Sequence, residues 1–577
     1  MNRKDSFFVL ILVVALAAIT VVVGAPALSP VAAVPTDAPF EETEARPYRE
    51  GVLGLPTSVS PLTARTQADR DLVALVFSGL VRNGPNGTLV PDLAARWAID
   101  DDGRTWTFDL RTDARWHDGE PVVAEDVAFT IRTLQDPDYL GPSASSWSGV
   151  TARATGVHTV TFTLDSPVGG FLQAVTQPIA PSHLLSDVPV ANLPDDAFGQ
   201  APVGNGPFAL ISLEPELAVL APPVPVEPAE EELSADPSAV PTDSLRTTRP
   251  VARPDVPRPY LDGIEFHFYQ DPERLAEDFR AGDLDGVSGV DPTVAADLAA
   301  EPGSHLLRYP GSTLTAVVFN VRGGHPEFST SAVRTALLAA IDREALVAAA
   351  FAGAAVQSDS VIPPSSPLFD PTVKTAVAHD VEAAANALTK AGWKKANGRW
   401  RLPGTKAPFE FELLSPDRAS NPAAWAAAES VTADWLTFGL GVKHVALPPG
   451  EFVSERLATG EFRAAVVDLA IGLDPDLYPL LASTQTLTGG SNVSGVQDAT
   501  LDDLLEAARR PGTEEQRRRA YSALQARLAT GRYLLPLAFQ DESVVIHETV
   551  SGPVTRQVSD PSDRFWDVLT WRLADDR

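Results

Sequence analysis

Residues 89–127 read LVPDLAARWAIDDDGRTWTFDLRTDARWHDGEPVVAEDV, a run that holds a hairpin, an ordered turn and a helix start. Trp106, Phe108 and Leu110 alternate with Thr107, Asp109 and Arg111, which is the two-residue period of a strand buried on one face. Asp102-Gly103 supplies the turn before it. After the strand, Trp116-His117-Asp118-Gly119-Glu120-Pro121 reads as a turn in which Asp and Gly suit the tight backbone, with Trp116 packing under the hairpin. The helix beyond it opens at Val123 without a capping hydroxyl. Either its first turn frays, or Glu125 and Asp126 compensate through the helix dipole.

Outward from this stretch, strands and helices alternate without an internal repeat. Val160, Phe162 and Leu164 form a further alternating strand, as do Ile264, Phe266 and Phe268. Ser329, Thr330 and Ser331 offer caps ahead of a helical stripe at Val333, Leu337 and Ile341. Thr513 and Gln516 have the spacing of a capping box before Tyr521, Leu524 and Leu528. Mixed segments of this kind suit α/β lobes, each a sheet covered by helices. The chain has 577 residues, more than one core of about 250–300 residues sustains, so at least two lobes are expected.

Two segments stand apart from that pattern. Arg3 and Lys4 precede an apolar run over residues 7–23, an export signal of about 25 Å as a helix. Its length favours an uncleaved anchor, while Ala25-Pro26-Ala27 also offers small residues for cleavage; either way the body lies outside the cytoplasm. Residues 214–259 contain eleven prolines, with Glu227, Glu230, Glu231 and Glu232 ahead of Arg246, Arg249, Arg253 and Arg258. An extended or disordered insertion is expected there, because so little apolar surface cannot offset ordering entropy.

Composition excludes several functions. Forty-five basic against 76 acidic side chains leave a net charge of −31, which repels nucleic acid and anionic membrane surfaces. Without cysteine there is no disulfide, thiolate metal site or cysteine nucleophile. Gly490-Ser491-Asn492-Val493-Ser494-Gly495 has the wrong spacing for a nucleophile elbow. His547-Glu548 lacks the second His of a zinc helix, since Ser551 stands in its place. Asp100 and Asp102 fit a turn better than a calcium loop, because Ala98 occupies the first ligand position. His117, His158 and His183 fall in different elements, so no metal and no cofactor are expected.

Taken with Pro91-Asp92-Leu93-Ala94, the opening stretch resembles the signature of family 5 extracytoplasmic solute-binding proteins, the peptide, nickel and oligosaccharide receptors of ABC importers. The likeness continues through Gly54-Leu55-Pro56-Thr57-Ser58-Val59-Ser60-Pro61-Leu62 and Ala201-Pro202-Val203-Gly204-Asn205-Gly206-Pro207-Phe208. Pro259-Tyr260-Leu261-Asp262-Gly263-Ile264 extends it, as does Val333-Arg334-Thr335-Ala336-Leu337 with Ala340-Ile341-Asp342-Arg343. Departures are Val123 where Ser or Thr is usual, Asn205 in place of Thr, and the Pro-rich insertion in place of an aromatic segment before Pro259.

The resemblance implies an α/β, two-lobed periplasmic-binding-protein-like fold with an additional small domain, preceded by an N-terminal apolar helix. Residues 1–25 would be the signal anchor and 26–47 a tether. Residues 48–75, 206–318 and 535–577 would form lobe I, 76–205 the small extra domain and 319–534 lobe II, with chain crossings at Phe319-Asn320 and between Leu534 and Phe539. Ligand binds between the lobes and hinge closure buries it, with no covalent step. Asp474 matches the position at which peptide-binding members set a carboxylate against the ligand's α-ammonium; Asp474-Pro475 equally reads as a helix N-cap followed by Pro. Thr57, Ser58, Trp147, Asn320, Ser491 and Asn492 are further cleft candidates by family position.

The implied function is a monomeric, membrane-tethered or secreted receptor that delivers a peptide-like or other small polar solute to an ABC permease. A cell-surface signalling or structural protein with an altered cleft is the alternative, and an exported hydrolase the third reading.

Overall fold

The computed structural model describes residues 46–84, 88–139, 141, 147–223, 259–486 and 490–574. The apolar run at residues 7–23, the tether, residues 224–258 of the insertion and Ser491's neighbours 487–489 lie outside them. Among the described residues no helix is long and apolar enough to cross a membrane.

An eleven-stranded sheet runs through the molecule. From one edge its strands are Gly441–Leu447, Glu410–Pro416, Ala464–Ala470, Ser304–Phe319 and Leu534–His547, then Gly286–Ser288, Tyr48–Leu53, Ile264–Tyr269, Leu217–Ala221 and Ala209–Glu214; Ala355–Gln357 adds to Leu534–His547 off this path. Parallel strands, adjacent or one strand apart, are joined through helices. Ile264–Tyr269 leads through helix Pro272–Arg280 to Gly286–Ser288, and Glu410–Pro416 through Pro422–Phe438 to Gly441–Leu447. Both helices carry Pro in the first turn behind a capping side chain, Asp271 and Asn421.

The two long strands are antiparallel partners and belong to two cores. Ser304–Phe319 pairs with Leu534–His547 on either side of an irregularity between Pro310 and Leu314. Before it, Tyr309 joins the core of Tyr48, Phe266 and Trp571; after it, Val317 and Phe319 pack with Trp435 on one face while Leu314, Ala316 and Val318 pack with Leu524 on the other. A strand covered by helices on both faces needs a near-continuous apolar run, and here only Thr315 interrupts it between Leu314 and Phe319. The returning strand divides likewise, with Leu534, Leu535, Leu537 and Phe539 in the second lobe and Val544 and Ile546 in the first. The crossings therefore lie at residues 310–313 and 540–541, earlier than Phe319-Asn320 on the way in and at the far end of the expected return segment on the way back. A pattern of continuous apolar residues marks burial on two faces but not which core receives them.

A four-stranded antiparallel sheet, ordered Ala94–Ile99, Thr105–Leu110, Thr159–Leu164 and Val150–Gly156, forms the small domain. Trp106, Phe108 and Leu110 are buried, and Gly103 takes a left-handed φ of +67° in the turn before them. This domain shares the first lobe's core. Helix Ala124–Leu134 has no side-chain cap at Val123, but the Asp126 carboxylate accepts from Val123 N at 2.9 Å, Trp116 Nε1 at 3.1 Å and Ser182 Oγ at 2.6 Å. One carboxylate thus ties the turn, the helix start and residue 182 together.

Family-like motifs resolve into packing devices. A Cβ on Gly204 would lie 2.0 Å from Val76 O, while Asn205 Oδ1 accepts from Ser78 N at 2.8 Å. Arg334 and Arg343 are both buried, and their guanidinia donate to the carbonyls of Gly531 and Arg532 and of Ser358 and Val377. Helix Ser331–Ala339 has Thr330 at its N-cap without a side-chain bond, whereas Thr513 and Gln516 form the expected capping box. The Pro-rich insertion begins later than expected, since Ala209–Glu214 and Leu217–Ala221 form a hairpin on the sheet edge.

Candidate functional site

Two long strands cross between the cores, and the groups around that crossing are the candidate site. Ile471 N donates to Ser312 O at 3.1 Å, bringing the end of strand Ala464–Ala470 to the hinge. Beside it Gln540 Nε2 donates to Thr315 Oγ1 at 2.9 Å, which donates to Asp468 Oδ1 at 2.6 Å; Asn421 Nδ2 donates to the other Asp468 oxygen at 2.8 Å. This chain links both hinge strands to helix Pro422–Phe438. From the first lobe, the loop after Tyr48–Leu53 is set by Asp69, whose carboxylate accepts from the backbone of Thr57, Ser58, Arg65 and Thr66 and from Thr57 Oγ1. Burial works against the Asp69 charge, but those backbone donors outweigh it and hold the carboxyl below its ordinary value.

Asp474 sits just beyond the hinge in a bidentate pair with Arg517, both bonds at 2.6 Å. Their side chains are 17% and 16% exposed. Tyr521 closes the pair from below, its hydroxyl donating to Pro475 O at 3.1 Å and lying 3.4 Å from Asp474 Oδ1. Burial disfavours the guanidinium charge; hydrogen bonds and attraction from Asp474 overcome that and raise Arg517 above its ordinary value. The structure pairs Asp474 with Arg517, and the helix-cap role expected as its alternative falls elsewhere. The following helix, Tyr478–Leu481, has Leu477 as N-cap, and it is Asp476 Oδ1 that accepts from Tyr478 N.

Residues 88–492 match the family model of the bacterial extracellular solute-binding proteins, family 5. The chain belongs to that family. This receptor is 30% identical over 517 residues to Protein XP55 of Streptomyces lividans, an alignment covering 88% of this chain and 86% of the relative. It is 25% identical to Di/tripeptide-binding protein 3 of Pseudomonas aeruginosa, over 88% of this chain and 90% of that one. Its fold is that of the Bacillus subtilis oligopeptide-binding protein AppA in complex with a nonapeptide, with a TM-score of 0.67 at 21% identity, covering 92% and 99% of the two chains. The Pseudomonas and Bacillus relatives are named as binding proteins.

The other candidates fall in three places in the receptor. Thr57 is exposed on the first lobe, while buried Ser58 bonds Thr63 Oγ1 at 2.6 Å. Trp147 is buried in the small domain, its ring 6.3 Å from Phe162 and 6.2 Å from Phe171, and it borders a cavity of about 540 Å³ within the first lobe. Asn320, Ser491 and Asn492 do come together, but about 20 Å beyond Leu314 at the far end of the second lobe, given 3.3 Å per strand residue. There Asn320 Nδ2 donates to Gly460 O and Phe462 O, Asn492 Nδ2 donates to Ala482 O and Val496 O, and Arg322 joins Asn320 Oδ1 to Val493 O. Their amides are consumed as loop staples. Ser491 offers its carbonyl to Val493 N.

Sequence reasoning missed Arg517, 43 positions from Asp474 on a different element. It also missed Ser415, His444 and Glu429, which form a hydrogen-bonded line from strand to strand to helix. Ser415 is fully buried, with its hydroxyl 2.7 Å from both Pro416 O and His444 Nε2. The line pins helix Pro422–Phe438 to the sheet.

Proposed function

We propose that the chain captures a peptide or related small polar solute between its lobes by hinge closure and presents it to the permease of an ABC importer. The observation that carries this is the pair of strands that passes from one core to the other, since such a link permits rigid-body closure around a ligand. The names of its relatives supply the peptide class. Residues 7–25 anchor the exported monomer to the membrane, with Arg3 and Lys4 on the cytoplasmic side. Thr57 is the rim residue offered to the ligand, and Asp474 acts through Arg517 rather than on a ligand cation.

Thermal unfolding of the purified chain with peptides of two to nine residues tests the reading. A ligand at 100 times its dissociation constant adds about 2.7 kcal/mol to stability and raises the melting temperature. No rise with any peptide, and no small molecule released on denaturing the purified protein, would overturn it. One observation favours a second reading, a surface protein whose cleft is altered: Asp474 is already paired within the chain. Transport of a bound solute by cells carrying the receptor and its permease separates the two.

A further inference from the structure

Two loops of the small domain reach the second lobe at one place, apart from the hinge strands. Gly169 N donates to Arg509 O at 2.5 Å. A Cβ on Gly169 would lie 2.9 Å from Arg510 O and 3.1 Å from Arg517 Nε, and one on Gly170 would lie 2.9 Å from Asp474 Cγ. The hairpin turn joins them, since a Cβ on Gly103 would sit 3.4 Å from Pro511 Cγ. Three glycines therefore let first-lobe backbone lie directly on the Asp474–Arg517 pair and the turn beside it. Gly169 and Gly170 follow strand Thr159–Leu164, whose Val160 and Phe162 belong to the first core, and Tyr521 and Leu505 beneath the pair belong to the second. The receiving surface is itself rigid: Arg509 donates to Asp476 Oδ2 at 2.9 Å and its guanidinium lies 4.4 Å from the Tyr478 ring centre. Arg517 Nε, buried and without a partner, faces the loop.

We infer that this contact is a clasp that holds the lobes shut, with Arg517 as its positioning residue. Arg517 keeps the Asp474 carboxylate flat against Gly170 and neutral as a pair, so first-lobe backbone can cover it without burying a lone charge. Without Arg517 the carboxylate would need water at the surface that Gly170 occupies, and the closed arrangement would lose to an open one. Asp474 is then spoken for within the chain, which deepens the proposed function: this receptor selects solutes without requiring a ligand ammonium at that position. The clasp rests on hinge closure being the receptor's motion, but not on the ligand being a peptide.

Because the chain has no cysteine, Val157→Cys and Val453→Cys introduce a unique pair of spin-label sites on exposed positions of the two lobes. Distances measured by pulsed electron spin resonance on the full chain should show a component at the separation seen in this structure. Arg517→Ala and Gly170→Val should each lower the ratio of that component to longer distances by about 5- to 30-fold. Exchanging the charges, Asp474→Arg with Arg517→Asp, should restore part of it. Gly170→Val keeps both charged groups, so it tests the contact even if Arg517→Ala fails to fold. Unchanged distances in the folded variants, or a parent without the closed component, would overturn the clasp. If the variants shift the distances while no peptide does, the clasp stands and the peptide reading falls.

Discussion

At Asp474 the deciding feature is a partner supplied by a distant helix. Asp474→Asn leaves the Arg517 guanidinium mostly buried with a neutral acceptor, and unfolding by urea should show a loss of about 2 kcal/mol. If Asp474 acts through Arg517 as proposed, peptides with free and acetylated amino termini should keep the same ratio of affinities in this variant as in the parent. Glu542, on the returning hinge strand, behaves differently. Burial, reinforced by Asp560, Asp71 and Asp541 and opposed by Arg564, pushes its carboxyl up to about 7. Nearby, Arg564 is already shared between buried Glu50 and Asp71, each at 2.7 Å. The folded state therefore holds the Glu542 proton more tightly than the unfolded chain, which titrates near about 4.3. Its contribution to stability is fully present below that value and is lost as pH rises through about 7. Against Glu542→Gln, the parent should lose about 1–2 kcal/mol in urea unfolding between about pH 5 and pH 8, a range reduced for its partial exposure.

Among elements, helix Ala124–Leu134 shows how a missing cap is made good. A carboxylate three residues inside the helix supplies the reciprocal half of a cap, accepting from Val123 N, and it also holds Trp116 and Ser182. Asp126→Ala should cost about 2–4 kcal/mol, read from the melting temperature, since it leaves several donors unsatisfied at once. The pattern of residues 94–164 specified its sheet closely, because in antiparallel strands with one buried face each side chain reports its own side. The same reasoning did not place Asn320, Ser491 and Asn492. Their residue types suit a turn and a binding loop equally, and which carbonyls lie within reach of an amide is a property of the assembled lobe. Nor could it find the edge hairpin at Ala209–Glu214 and Leu217–Ala221, whose second strand is held by pairing with Ile264–Tyr269.

Over the whole molecule, two cores share two strands, and the boundary within those strands should be measurable. Hydrogen exchange at single-residue resolution should show residues 314–319 exchanging together with 464–470, and residues 304–309 with 542–547, with a break at 310–313. Uniform protection along the strand would contradict a hinge there. The sequence by itself determined that this chain is an α/β receptor of two lobes, because apolar periodicity, turn chemistry and family motifs are local and survive in one dimension. Which lobe each half of the long strands joins, and which cation meets Asp474, were decided only when segments 43 to 243 positions apart came into contact. Packing and ion pairing at such separations depend on distances that no spacing along the chain encodes.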